Sequence, residues 1–113
     1  MISRVFLELL IDKTVSQRIK TLLQEKPQRN PYKRFTILAY QLADVGRCIR
    51  YAEIYPRERE AYLAYLKTAM ADLIIQIAIL TDLYGFETSD LIKLGSERLD
   101  EFRRKGDYEE EEQ

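Results

Sequence analysis

Apolar residues recur along most of this chain every three or four positions, the period of a helix that buries one side. Over 2–25, Val5, Leu9, Asp12, Ser16, Ile19 and Leu23 form one stripe, widened by Phe6, Leu10 and Leu22. Over 31–55, Phe35, Leu38, Leu42, Val45, Ile49 and Ala52 repeat the spacing. Over 56–84 the pattern changes: between Ala69 and Leu80 the chain is apolar nearly all round. That marks a helix at the centre of a domain or between subunits. A last amphipathic stretch, from about 87 to 105, has Leu91, Ile92, Leu94, Leu99 and Phe102 on its buried side.

Helix breakers fall between these stretches. Pro27 ends the first. Asn30 is a good N-cap for the second, with Pro31 in its first turn, and Pro56 opens the third. Gly85 suits the residue after the third helix and Gly106 the residue after the fourth. Gly46 weakens the second helix slightly and lets a neighbouring helix come close. The reading is all-α: one four-helix bundle over 1–105, followed by an acidic tail over 106–113 that is expected to be disordered. Short connections make neighbouring helices antiparallel, and the second and third, which abut at Tyr55 and Pro56, should form a helical hairpin.

Composition narrows the chemistry. The 113 residues contain no histidine and one cysteine, Cys48. A single chain therefore has no Ser-His-Asp or Cys-His mechanism, no intrachain disulfide and no His-ligated metal. A metal would be held by oxygen, which favours Mg²⁺, Mn²⁺ or Ca²⁺. The net charge is −1, but five of the 19 acids (Asp107 and Glu109 to Glu112) sit in the tail, leaving 14 acids against 18 bases in the body. That mild excess suits a phosphate-bearing ligand and is too scattered for duplex nucleic acid. The longest apolar run, 73–80, is broken by Gln76, and the N-terminus lacks a secretory pattern. No membrane span and a cytoplasmic location are therefore expected.

The informative positions are acids on or beside apolar stripes, where an unpaired charge is costly. Asp72 precedes Leu73 on the most apolar helix, Asp44 has Gln41 one turn before and Arg47 one turn after, and Asp12 lies on the first stripe. Folding the hairpin at Tyr55 and Pro56 leaves Asp44 and Asp72 offset by about five residues, roughly 7 Å along the axis. Asp12 comes near the level of Asp44. Such acids can flank a hydrated cation in mid-bundle. They can equally be satisfied locally: Asp44 by Arg47 or Lys67, and Asp72 by Tyr40, Tyr65 or Gln76.

The run over 69–87, AMADLIIQIAILTDLYGFE, has an acid, a long apolar helix and then a Gly-hydrophobic-acid turn. It resembles the third helix and following turn of MazG-like proteins, in the all-α NTP pyrophosphatase superfamily. The segment over 91–99 resembles the helix that follows, and Leu38 to Val45 stands where the family carries Glu-x-x-Glu. The likeness spans about 38–104. It implies a four-helix unit that associates as a dimer or tetramer and cleaves nucleoside triphosphates to the monophosphate and pyrophosphate. Mg²⁺ is then held by the acids of two motifs. Carried over by position, Asp72 matches outright, Asp44 replaces a glutamate with a shorter acid, Gln41 replaces a glutamate with an amide, and Ala69 has no ligating atom. Asp12 or a neighbouring subunit would supply what is missing. Lys93 and Arg98 fall where the family places phosphate-contacting bases.

The expected function is therefore a divergent Mg²⁺-dependent nucleoside triphosphate pyrophosphohydrolase. Asp44 and Asp72 would be catalytic, Gln41, Asp44 and Asp72 would hold the metal, and Lys93 and Arg98 would contact phosphate. The alternative is a catalytically impaired relative acting as a nucleotide-binding or protein-interaction bundle. The all-round apolar third helix points to a homodimer. Several of the eight tyrosines sit on the second and third helices, where they suit interfaces or bundle edges.

Overall fold

The computed structural model describes residues 14–105, which are helical apart from short connections. Four helices follow in order. The first, α1, is helical over 14–22 within the described residues and ends in a turn at Leu23 and Gln24. A 3-10 turn, Lys26–Arg29, holds Pro27 and leads to α2, Pro31–Ile54. Asn30 caps α2 as expected: its side-chain oxygen accepts the N–H groups of Tyr32 at 2.9 Å and Lys33 at 3.1 Å. Pro31 occupies the first turn, where no N–H is needed.

A second 3-10 turn, Pro56–Glu58, precedes α3, Arg59–Leu83, so the α-helix begins three residues after the proline that opens it. Gly85 ends α3 in the left-handed conformation at φ 71°, which only a residue without Cβ adopts freely. The N–H of Phe86 then bonds back to the Thr81 carbonyl at 2.9 Å. The last helix, α4, is Thr88–Arg104. Asp12 and the acidic tail from Asp107 onward lie outside the described residues.

The predicted hairpin is the main packing unit: α2 and α3 run antiparallel along most of their length. Ala52, 2% exposed, and Ala69, 6% exposed, mark the seam between them. A small core at the far end joins α1 to α3, with Ile19, Leu23 and Ile79 buried and Val15, Leu22, Ala78 and Leu83 around them. Each of these three aliphatic side chains contributes about 1.5–3 kcal/mol on burial. By contrast, α4 makes at most slight contact with α2 or α3.

The apolar pattern and the burial do not coincide. On α2 the predicted stripe is split: Val45 and Leu38 are half-buried and Ala52 buried, while Phe35, Leu42 and Ile49 are 62%, 60% and 49% exposed. On α3, which was expected to be covered, Leu63, Met70, Ile74 and Ile77 are exposed. The stretch Pro56–Leu83 is also long and apolar enough to span a membrane by composition, with a mean hydropathy of 1.6 in a window only 11% buried. The expectation of no span rested on uninterrupted apolar runs, and Lys67 and Asp72 break those runs without lowering the average enough.

Helical geometry turns these exposures into sides. Successive residues are about 100° apart around a helix axis. On both helices most of the exposed aliphatic residues lie about a quarter turn from the seam in the direction of increasing angle, and Ile75 of α3, 39% exposed, lies on the other side. Because the helices are antiparallel, equal rotations from the seam point to the same side of the hairpin. One side is therefore apolar along both helices. The opposite side carries Tyr40, Asp44 and Arg47 from α2 and Tyr65, Thr68 and Asp72 from α3.

Candidate functional site

Asp44 and Asp72 are brought to one side by this rotation, since each lies on the polar flank of the seam. The ring of Tyr62 on α3 meets both Tyr51 and Tyr55 on α2, at centroid distances of 5.4 and 6.2 Å, which brackets the register of the hairpin. Carried along the helices, that register places the two aspartates within about one turn of each other, roughly 5 Å along the axis. This is closer than the five-residue offset expected from folding the sequence at Tyr55 and Pro56. The expectation that both turn inward is not met: Asp72 is exposed, and the Asp44 side chain keeps 47% of its accessible surface. They face solvent from a shallow side of the hairpin.

Their partners differ. The Arg47 guanidinium donates to the Asp44 carboxylate across one helical turn. An exposed pair of this kind is worth ~0.3–0.5 kcal/mol, so an incoming cation or phosphate can displace it. Among the described residues no hydrogen bond or ion pair engages Asp72. Gln41 and Ala69 stand in the seam, half-buried and buried. Ala69 offers only a methyl group there, and the helices have closed over it. Among the described residues no group of three or more His, Cys, Asp or Glu side chains is placed to hold a metal ion. The donor set is two carboxylates and one amide. That is thin for a resident ion, but it fits Mg²⁺ arriving on a polyphosphate, which is usually held by one or two carboxylates with phosphate oxygens and waters completing the shell.

Lys93 and Arg98 are exposed on α4, and nothing in the slight packing of α4 against α2 and α3 brings them beside the aspartates. The Arg98 guanidinium lies 4.7 Å from the Phe102 ring centroid on its own helix. Cys48 is half-buried, as a small packing residue.

Two features were not anticipated from the sequence. Tyr51, Tyr55, Tyr62 and Tyr65 form a chain of ring contacts where α2 passes into α3. Burial raises the Tyr62 phenol above its ordinary value, and the Glu58 carboxylate and neighbouring tyrosines push the same way. The tyrosines spaced four, seven and three apart were visible, but their convergence depends on the hairpin register. A cleft of about 680 Å³ also opens between α1, the end of α3 and the start of α4, lined among others by Ser16, Lys20, Thr81, Asp82, Glu87 and Thr88. It joins α1 to the distant α3–α4 connection, and no local pattern announces it.

Set against known protein families, characterised proteins and solved structures, the chain matches none of them.

Proposed function

We propose that the chain is a divergent MazG-like protein, a helical unit of the all-α NTP pyrophosphatase type. Its polar side takes a magnesium-loaded nucleoside triphosphate and hydrolyses it to the monophosphate and pyrophosphate. The observation that carries this reading is the placement of Asp44 and Asp72 on one solvent-facing side of the hairpin, at nearly one level. Asp72, without a partner among the described residues, would be the principal ligand, and Asp44, loosely held by Arg47, the second. Gln41 can lend an amide oxygen from the seam.

The triphosphate brings about four negative charges, and bound Mg²⁺ supplies charge neutralisation and polarisation of the phosphoryl oxygens. The two carboxylates orient that complex. Water adds at the α- or β-phosphorus, the bond from that phosphorus to the bridging oxygen breaks, the bridging oxygen leaves with the electron pair, and the proton lost by the water passes to solvent. Incubation with a panel of NTPs and dNTPs in Mg²⁺ should release pyrophosphate, and Asp72→Ala should abolish the release. No turnover of any nucleotide would contradict the proposal.

A second reading is favoured by a specific observation: Ala69, at the position of a family glutamate, is 6% exposed in the seam. A relative that has closed its site in this way would bind nucleotide or a protein partner without hydrolysing. A nucleotide that raises the melting temperature without any pyrophosphate release would select it.

A further inference from the structure

We infer that the elbow joining α1 to α2 is a separate anion site, built around the buried Arg34 guanidinium, and that it takes a metal-free phosphate group with more than one negative charge. This does not depend on the nucleotide reading. Arg34 stands ten residues before Asp44 on α2, about 15 Å away along the axis.

Three observations carry it. The first is an unpaired buried charge. Arg34 is 4% exposed, and a guanidinium stays charged wherever it is placed. Among the described residues its side chain has one hydrogen-bond partner, and that partner is neutral: Nη2 donates to the Gln28 amide oxygen at 3.1 Å. Its Nε is buried and donates to nothing. No carboxylate among the described residues pairs with it. A buried charge is costly unless it is paired and hydrogen-bonded. Phosphate presents the oxygens that fit a guanidinium fork.

The second is the charge around it. From Lys26 to Ala43 the chain has four bases, Lys26, Arg29, Lys33 and Arg34, and no acid. All four lie on the Lys26–Arg29 turn or at the start of α2, two elements in contact. The positive end of a helix dipole favours acids, yet the first turn of α2 carries none. The four bases repel one another and the dipole until an anion arrives. Offsetting them takes more than one negative charge, which favours phosphate over a single carboxylate.

The third is that the elbow is already held in shape. Asn30 takes the N–H groups of Tyr32 and Lys33, and the Arg34 N–H donates to the Asn30 carbonyl at 3.1 Å. Arg29 Nη1 donates to the Leu23 carbonyl at 3.1 Å, which ties the turn to the end of α1. These backbone donors are taken, so the anion is held by side chains. Gln28 is half-buried on the turn. Its amide oxygen stands where a phosphate oxygen would, and it must swing aside for the anion to reach Arg34. Lys26, Arg29 and Lys33 are exposed around it and supply the remaining charge. Mg²⁺ bound to a nucleotide's phosphates neutralises the charge that this elbow selects, so the metal-loaded triphosphate is not its ligand.

Inorganic pyrophosphate, titrated calorimetrically into the full chain in EDTA, is the probe, so no outcome depends on a metal at Asp44 and Asp72. The wild type should bind it and should melt at a higher temperature in its presence. Gln28→Glu sets a carboxylate beside the guanidinium. It should raise the ligand-free Tm and lower pyrophosphate affinity about tenfold or more. Arg34→Met keeps much of the volume and removes the charge, and should act in the same two directions. Arg50→Met, which removes an exposed base from the other end of α2, is the control and should leave the affinity within about twofold. Vesicles of phosphatidylcholine with phosphatidic acid distinguish the source of the phosphate. Co-sedimentation that Arg34→Met abolishes assigns it to a lipid headgroup, and pyrophosphate binding without co-sedimentation assigns it to a soluble molecule. Four results would each overturn the inference: a wild type that binds neither probe, Arg34→Met that binds as the wild type does, an equal loss in Arg50→Met, or a ligand-free Tm lowered by both Gln28→Glu and Arg34→Met, which would make the guanidinium a satisfied part of the core.

Discussion

The two sides of one hairpin offer an instructive contrast. Both are built from α2 and α3, both are exposed, and they differ by less than half a turn around each helix. One side presents six large apolar side chains in heptad register with almost no charge. The other presents tyrosines, a threonine and two aspartates, one of them without a partner among the described residues. The difference shows that exposure alone says nothing of function. An apolar side that remains open has its stabilisation still to gain from a partner, whereas an exposed carboxylate is already content with water. What makes the polar side a candidate site is therefore the convergence of two acids from different helices.

The contrast can be attacked by placing the same change in different surroundings. The largest effect is expected in the seam. Ala52→Asp sets a charge where the native residue is 2% exposed, and should lower stability by about 4 kcal/mol in urea denaturation. Loss of under 1 kcal/mol would mean the hairpin is not closed there.

Next come two isoleucines on one helix. Ile79 is 3% exposed and Ile74 is 64% exposed. Ile79→Ala should cost about 2–5 kcal/mol at any protein concentration. Ile74→Ala should cost under ~0.5 kcal/mol in dilute protein, with a larger loss appearing only where the wild type associates. Equal, concentration-independent losses would remove the distinction between core and open side.

A smaller effect tests the entry to the hairpin: Asn30→Ala should lower stability by about 1 kcal/mol, since its oxygen serves two N–H groups. The smallest is confined to alkali. The Tyr62 phenol is held above its ordinary value of 10.0. In the unfolded chain it ionises first as the pH rises, so the fold loses stability from about pH 10 upward and gains nothing from this group below that. In an ultraviolet titration one phenol should ionise after the others, and Tyr62→Phe should delete that last step.

Much of the fold was legible in the sequence, for identifiable reasons. Pro31, Pro56, Asn30 and Gly85 act through local backbone chemistry, so they announced the bounds of α2, α3 and their turns wherever those elements sit in space. The stripes on α2 and α3 announced helices but not which half of each stripe meets its neighbour. That choice is made by packing between Ala52, Ala69 and the tyrosines, residues far apart along the chain. The same limit applied to the candidate site. Asp44 and Asp72 were recognisable as acids beside apolar stripes, and local pairing of Asp44 with Arg47 was among the readings. Their shared side and near level needed the register of the hairpin. Among the described residues the cover expected over α3 is not seen, because an all-round apolar pattern reports what a helix can bury and says nothing of where the cover comes from.

The polar side of the hairpin is the one that should meet the nucleotide. Amide chemical shifts recorded while a non-hydrolysable nucleoside triphosphate is titrated in with Mg²⁺ would test it most directly. Movement should be concentrated at Tyr40, Asp44, Thr68 and Asp72, and should be lost in Asp72→Asn. Shifts gathered instead around Leu42, Met70 and Ile74, or around Lys20 and Thr88 in the cleft, would contradict it, as would a spectrum that does not change.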